Sequence, residues 1–253
     1  MEDEMKKNAD GDVQIKSPFL TRLDNFWYHY KWHSIAALFA VLVIIIIAVQ
    51  ISSKPSYDIH IMYAGTHSFD RTSSDGDIPS YHATVYAFNK VCDDFNNDEK
   101  TNVDILDLFV MTSDEIRDFA ENNSDQTINE NLFLEDRETL YSNLIYSEYY
   151  VCFLSESLFR EYEAAHDGEI FAPIKEFADS ERADSYEYAS DNGIYLRSLD
   201  FYSIPEISKL PNDTVVCIRK FSEISSLFGK ANNERQYSNS KAFLTTILSY
   251  RES

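Results

Sequence analysis

The sequence predicts an α/β protein: one transmembrane helix followed by a three-layer domain built on a mainly parallel sheet. Three observations predict it. Residues 34–53 form a 20-residue stretch without a formal charge, about the length that crosses roughly 30 Å of hydrocarbon as a helix. Beyond it, short apolar runs alternate with segments whose apolar residues recur every three or four positions, the pattern of βαβ units. Residues 149–154 are apolar or aromatic throughout, as a parallel strand covered on both faces is.

Taken in order, residues 1–33 form a short tail whose end carries Phe26, Trp27, Tyr28, Tyr30 and Trp32 with Lys31 and His33. Such amphipathic rings settle at the headgroup level and mark the first membrane interface. No small-x-small cleavage site follows the apolar run, Ala48-Val49-Gln50 being the nearest approach, so an uncleaved anchor is expected rather than a signal peptide. No cysteine follows it to carry a lipid. Lys16, Arg22 and Lys31 precede the span closely, against Lys54 and Arg71 after it. That bias places the N-terminus in the cytoplasm and residues 54–253 outside a cell membrane crossed once.

In the domain, 57–64 alternates Ile59, Ile61 and Tyr63 with His60 and Met62 and reads as a first strand ending at Gly65. The segment 69–79 is polar; aligned to a calcium loop on Gly76, its first ligand would be Arg71, so calcium is not expected there. From Ser80 a helix is expected, with Val85, Phe88, Cys92 and Phe95 on its apolar stripe and its end near Asn96. Residues 103–111 supply a second strand. Asp104 and Asp107, three apart on it, fall on opposite faces. Thr112, Ser113, Asp114 and Glu115 have capping-box spacing and open a short helix; Thr127 to Glu130 repeats the signal before a helix over 135–147. A helix over 155–166 with Leu158, Phe159 and Tyr162 inward follows the third strand, and then a helical turn from Pro173. Strands at 194–196 and 214–219 and a last helix over 240–250 complete the domain.

Composition narrows function. Acidic residues number 43 against 22 basic ones, a balance that repels phosphate backbones, so no nucleic-acid partner is expected. The six glycines are too scattered for a phosphate loop or dinucleotide fingerprint. Cys92, Cys152 and Cys217 each lie in apolar runs and read as buried small hydrophobes, with one disulfide open if two meet across the core. Six histidines show no ligand spacing, and no nucleophile elbow occurs. Neither an enzyme, a metal nor a cofactor is expected.

Residues 149–159, then 168–177 with its Gly-x-hydrophobic-x-x-Pro-hydrophobic-x-x-hydrophobic order, resemble the middle of an extracellular solute-binding protein lobe. Asn192-Gly193-Ile194-Tyr195-Leu196 is similar to the strand by which that family returns toward its hinge, with Asn192 in place of a tyrosine. The arrangement also resembles uncharacterised single-pass proteins of Gram-positive bacteria. The resemblance implies one lobe of a periplasmic-binding-protein-like fold on a membrane helix, since only about 60 residues follow Ile194, too few for a second lobe.

In open parallel sheets ligands bind beyond the carboxyl ends of strands. Those ends are Gly65-Thr66-His67, Thr112-Ser113 and Ser155-Glu156, which become the candidate ligand-binding residues, against the plain reading of the hydroxyls as N-caps. The expected function is a membrane-anchored extracytoplasmic binding or interaction module. Its partners would be the lipid bilayer through 34–53 and either a small neutral or cationic ligand or a membrane protein. The alternative is a structural accessory of a membrane complex, acting through anchor and tail.

Overall fold

The computed structural model describes residues 18–52, 56–71, 78–122, 130–178, 182–221 and 230–251. The chain divides into two units, residues 1–55 and 56–253. The first holds helix α1, Pro18–Ser52, which contains the apolar span Phe26–Gln50, none of it buried against protein. The helix begins 16 residues before the expected span and absorbs the interfacial aromatics. Nothing in between stops it: Pro18 occupies the first helical position, where its missing N–H costs nothing, and no glycine follows.

The second unit carries one six-stranded sheet in the order β2-β1-β3-β6-β5-β4. Strands are β1 (Ile59–Gly65), β2 (Val103–Phe109), β3 (Val151–Ser155), β4 (Tyr188–Ser190), β5 (Gly193–Tyr195) and β6 (Thr214–Ile218). Helices are α2 (Tyr81–Asn89), α3 (Ser113–Asn122), α4 (Glu130–Tyr146), α5 (Glu156–Ala165) and α6 (Lys230–Ser249). One core packs α2, α6 and the segment around Phe201 against Ile59, Ile61, Val151, Phe153 and Val216. The other packs α4 and α5 against Met62, Ala64, Cys152, Leu154 and Cys217. Leu158, Phe159 and Tyr162 of α5 are buried, and all five residues of β3 are buried, so both faces are covered.

The sheet is mixed, not mainly parallel. β1 pairs parallel with β2 and β3, whereas the pairs β3 with β6, β6 with β5, and β5 with β4 are antiparallel. The reason is the connections. Only Asp191 and Asn192 separate β4 from β5, which no parallel crossover can span, and between β5 and β6 the chain makes only short 3-10 turns at Leu196–Ser198 and Asp200–Ser203.

Helix α2 also ends before the expected Asn96. Asp58, buried to 1% exposure, accepts the N–H groups of Phe95 at 2.9 Å, Asn96 at 3.1 Å and Asn102 at 2.9 Å. This carboxylate organises the return to β2 as a loop, with left-handed Asn97 and Glu99. β2 lies at the sheet edge, and side chains from both layers meet that edge. Asn89 Oδ1 accepts from Val103 N–H at 2.8 Å, the Tyr81 hydroxyl donates to Ile105 O at 3.3 Å, and Asp136 accepts from the Phe109 backbone. Asp104 and Asp107 point to opposite faces of this strand: Asp104 accepts from the Tyr149 hydroxyl at 2.6 Å and pairs with His60 Nδ1 at 3.1 Å, while Asp107 accepts from Phe69 N–H at 3.0 Å. The segment 72–77, with Gly76, and the capping signal at 127–129 lie outside the described residues.

Candidate functional site

The connection from β1 to β2 runs through α2 on one face, and the connection from β2 to β3 ends in α4 on the other. With β1 between β2 and β3, the connections diverge at the carboxyl ends of β1 and β3. This is a topological switch point, the crevice where open α/β sheets bind ligands. The ends are close: a β-carbon on Gly65 would lie 3.5 Å from Ser155 Cβ and 3.2 Å from the Tyr63 hydroxyl. Val110 N–H donates to Gly65 O at 2.9 Å, bringing the β2 end alongside.

Polar groups at this rim are joined through Glu115. The Thr112 N–H and hydroxyl donate to Glu115 Oε2 at 2.7 and 3.0 Å, and Glu115 N–H donates to Thr112 Oγ1 at 3.3 Å, a closed capping box at the start of α3. The other carboxylate oxygen accepts from Ser157 Oγ at 2.7 Å, and Ser157 Oγ lies 3.1 Å from Ser155 Oγ. Thr112 and Ser155, both buried, are thus linked across the switch point by two residues that the strand-end rule does not select. Capping-box spacing singles out Glu115; nothing local singles out Ser157. Ser155 makes no side-chain cap bond to α5, so the N-cap reading fits Thr112 and not Ser155.

The remaining candidates line the outer part. Thr66 Oγ1 and His67 Nδ1 lie 3.1 Å apart, with His67 exposed. Ser113 is exposed beside Thr112. Glu156 accepts from Arg160 Nε at 2.8 Å, and hydrogen bonds from Tyr195 and Arg160 hold its carboxyl below the usual range. Arg160 also reaches the Tyr195 hydroxyl at 3.4 Å, and Arg197 stacks 4.0 Å over the Tyr195 ring. Burial, with Asp107 and Asp213, pushes the Tyr63 phenol above its usual range. The inner rim is therefore acidic and hydroxylated, with Arg160 and Arg197 at the β5 side and Arg71 acting on Asp107 at the β2 side.

Chemically, this arrangement can accept hydrogen bonds from a ligand and balance positive charge. Among the described residues no group of three His, Cys, Asp or Glu is placed to hold a metal ion. Surface cavities of about 610 Å³ between α2 and residues 203–206, and about 390 Å³ between α4 and α5, lie away from the rim. No family model, curated protein or solved structure matches this chain.

Proposed function

We propose that the chain is a membrane-anchored binding or interaction module, with α1 in the bilayer, the N-terminus in the cytoplasm and the sheet domain outside. The observation that carries this reading is the switch point between β1 and β3, where Thr112, Glu115, Ser157 and Ser155 converge. An apolar helix of spanning length that buries nothing in protein supports the anchor. The acidic rim favours a small neutral or cationic ligand, or a partner presenting such a group. The likeness of 149–177 and 192–196 to one solute-binding lobe points the same way.

Co-purification from detergent tests it, with the full chain, a chain lacking residues 1–53, and Ser113→Arg, which places a long cation on the exposed rim. A binding module keeps its partner without the anchor and loses it with Ser113→Arg. Partners lost only on removing 1–53 favour the accessory reading instead. Protease added to intact cells should digest the domain and spare the tail; protection until lysis would place the domain inside.

A further inference from the structure

Cys152 on β3 and Cys217 on β6 are directly opposed in the antiparallel register. Both are free thiols at 0% exposure and face the α4 and α5 layer, while Cys92 sits in the other core. Arg219 N–H donates to Tyr150 O at 2.8 Å two residues along the same ladder, so 152 and 217 form a hydrogen-bonded pair. Opposed α-carbons in such pairs lie about 5.5 Å apart, inside the roughly 4.4–6.8 Å span of disulfides. Side chains in these pairs stand slightly wider than bonded cysteines do. Closing the bond needs a small inward shift of β6 and gives a bond that thiols reopen readily.

A second feature of the same face concerns charge. Arg219 follows Cys217 by two residues, so its side chain leaves the same face of β6, diagonal to Cys152. It is 2% exposed. Its guanidinium donates to Ile145 O at 2.9 Å and to Ser147 O, and lies 4.5 Å over the Tyr150 ring, but Nε has no hydrogen-bond partner. Both acceptors are carbonyls, not carboxylates. Burial disfavours this cation, while the nearby Cys152 favours it. Burial and the neighbouring Cys152 thiol raise Cys217. A cleft of about 300 Å³, walled by Leu144, Ile145, Ile170 and Phe221, opens onto Arg219.

We propose that Cys152 and Cys217 are a reversible dithiol/disulfide pair. The oxidant is a small disulfide. One cysteine attacks one of its sulfurs, forming a mixed disulfide and releasing one thiol that carries that cysteine's proton. The other cysteine then attacks the sulfur of the first, and the second thiol leaves with its proton. Two electrons pass from the cysteines to the small disulfide, which ends as two thiols. Because both cysteines are buried, exchange follows transient opening of the β3 and β6 pairing and is slow.

The test uses the full chain in detergent with the disulfide of 2-mercaptoethanol, followed by acid quench, alkylation in denaturant and peptide mapping. The expected product links Cys152 to Cys217, leaves Cys92 alkylated, and reverts with dithiothreitol. Cys217→Ser should stall as a mixed disulfide on Cys152. Three alkylated cysteines after overnight exposure, or a link through Cys92, overturns the pair. Should Cys217→Ser fail to fold, the wild-type map still decides.

Discussion

A single methyl group at Gly193 would sit 2.6 Å from Val215 Cγ1 and 2.7 Å from Phe159 Cζ. Carbon atoms do not pack that closely, so glycine here lets α5 lie against β5 and β6. Gly193→Ala should destabilise the domain by about 1–3 kcal/mol, read as a lower urea midpoint. The network on β2 is a second residue-level case. Burial works against the Asp104 carboxylate, yet the hydrogen bonds from His60 and Tyr149 outweigh it and hold its pKa below the ordinary 3.8. A depressed carboxylate contributes stability above its unfolded value and loses it as pH falls through the folded one. Tyr149→Phe should therefore cost about 1.5 kcal/mol at neutral pH, the low end for a bond to a charged group. The deficit against wild type should narrow below pH 3.8 in pH-dependent urea melts. Thr112 and Ser155 were legible because strand ends follow from periodicity. Ser157 and Tyr149 were not: each bonds a residue more than 40 positions away, and only the register brings them there.

Helix α5 ends by a route that explains both its boundary and a correctable weakness. Gly168 N–H donates to Glu163 O at 2.8 Å and Asp167 N–H to Ala164 O at 3.4 Å, the two bonds of a Schellman ending. Asp167 carries the left-handed conformation at φ 51°, where glycine is free of the β-carbon clash. Asp167→Gly should raise stability by about 0.5–1 kcal/mol, measured as a higher thermal midpoint with the fold unchanged. Helix α5, with a clear apolar stripe and a Gly stop, β3, apolar throughout, and α3, opened by a capping box, were readable and fall close to their expected places. Strand β4 was not, because three half-exposed residues leave no periodicity to count. The end of α2 was misjudged for another reason. Val85, Phe88, Cys92 and Phe95 keep helical spacing, but buried Asp58, far earlier in sequence, draws off the backbone N–H groups of Phe95 and Asn96.

For the whole molecule, alternating strand and helix signals gave the α/β class and the parallel β2-β1-β3 half, where helices supply the crossovers. The β6-β5-β4 half escaped because strand direction is set by connection length, and three short strands joined by turns have no crossover helix to announce them. The sheet has two ends, and each is managed. β4 is short and irregularly paired, and β2 is met by Asn89, Tyr81 and Asp136, both recognised ways of blunting an edge. Replacing Asn89 by Ala together with Tyr81 by Phe should leave the isolated domain folded but raise its tendency to self-associate, seen as a concentration-dependent mass in sedimentation. A monomeric double variant would show that the edge is protected by other means. Under the anchoring proposed above, this protection would act in two dimensions. Anchored copies would diffuse in a plane, where a bare strand would meet a matching strand at lateral collisions. The side chains that meet β2 would then keep neighbouring copies from closing edge to edge into dimers.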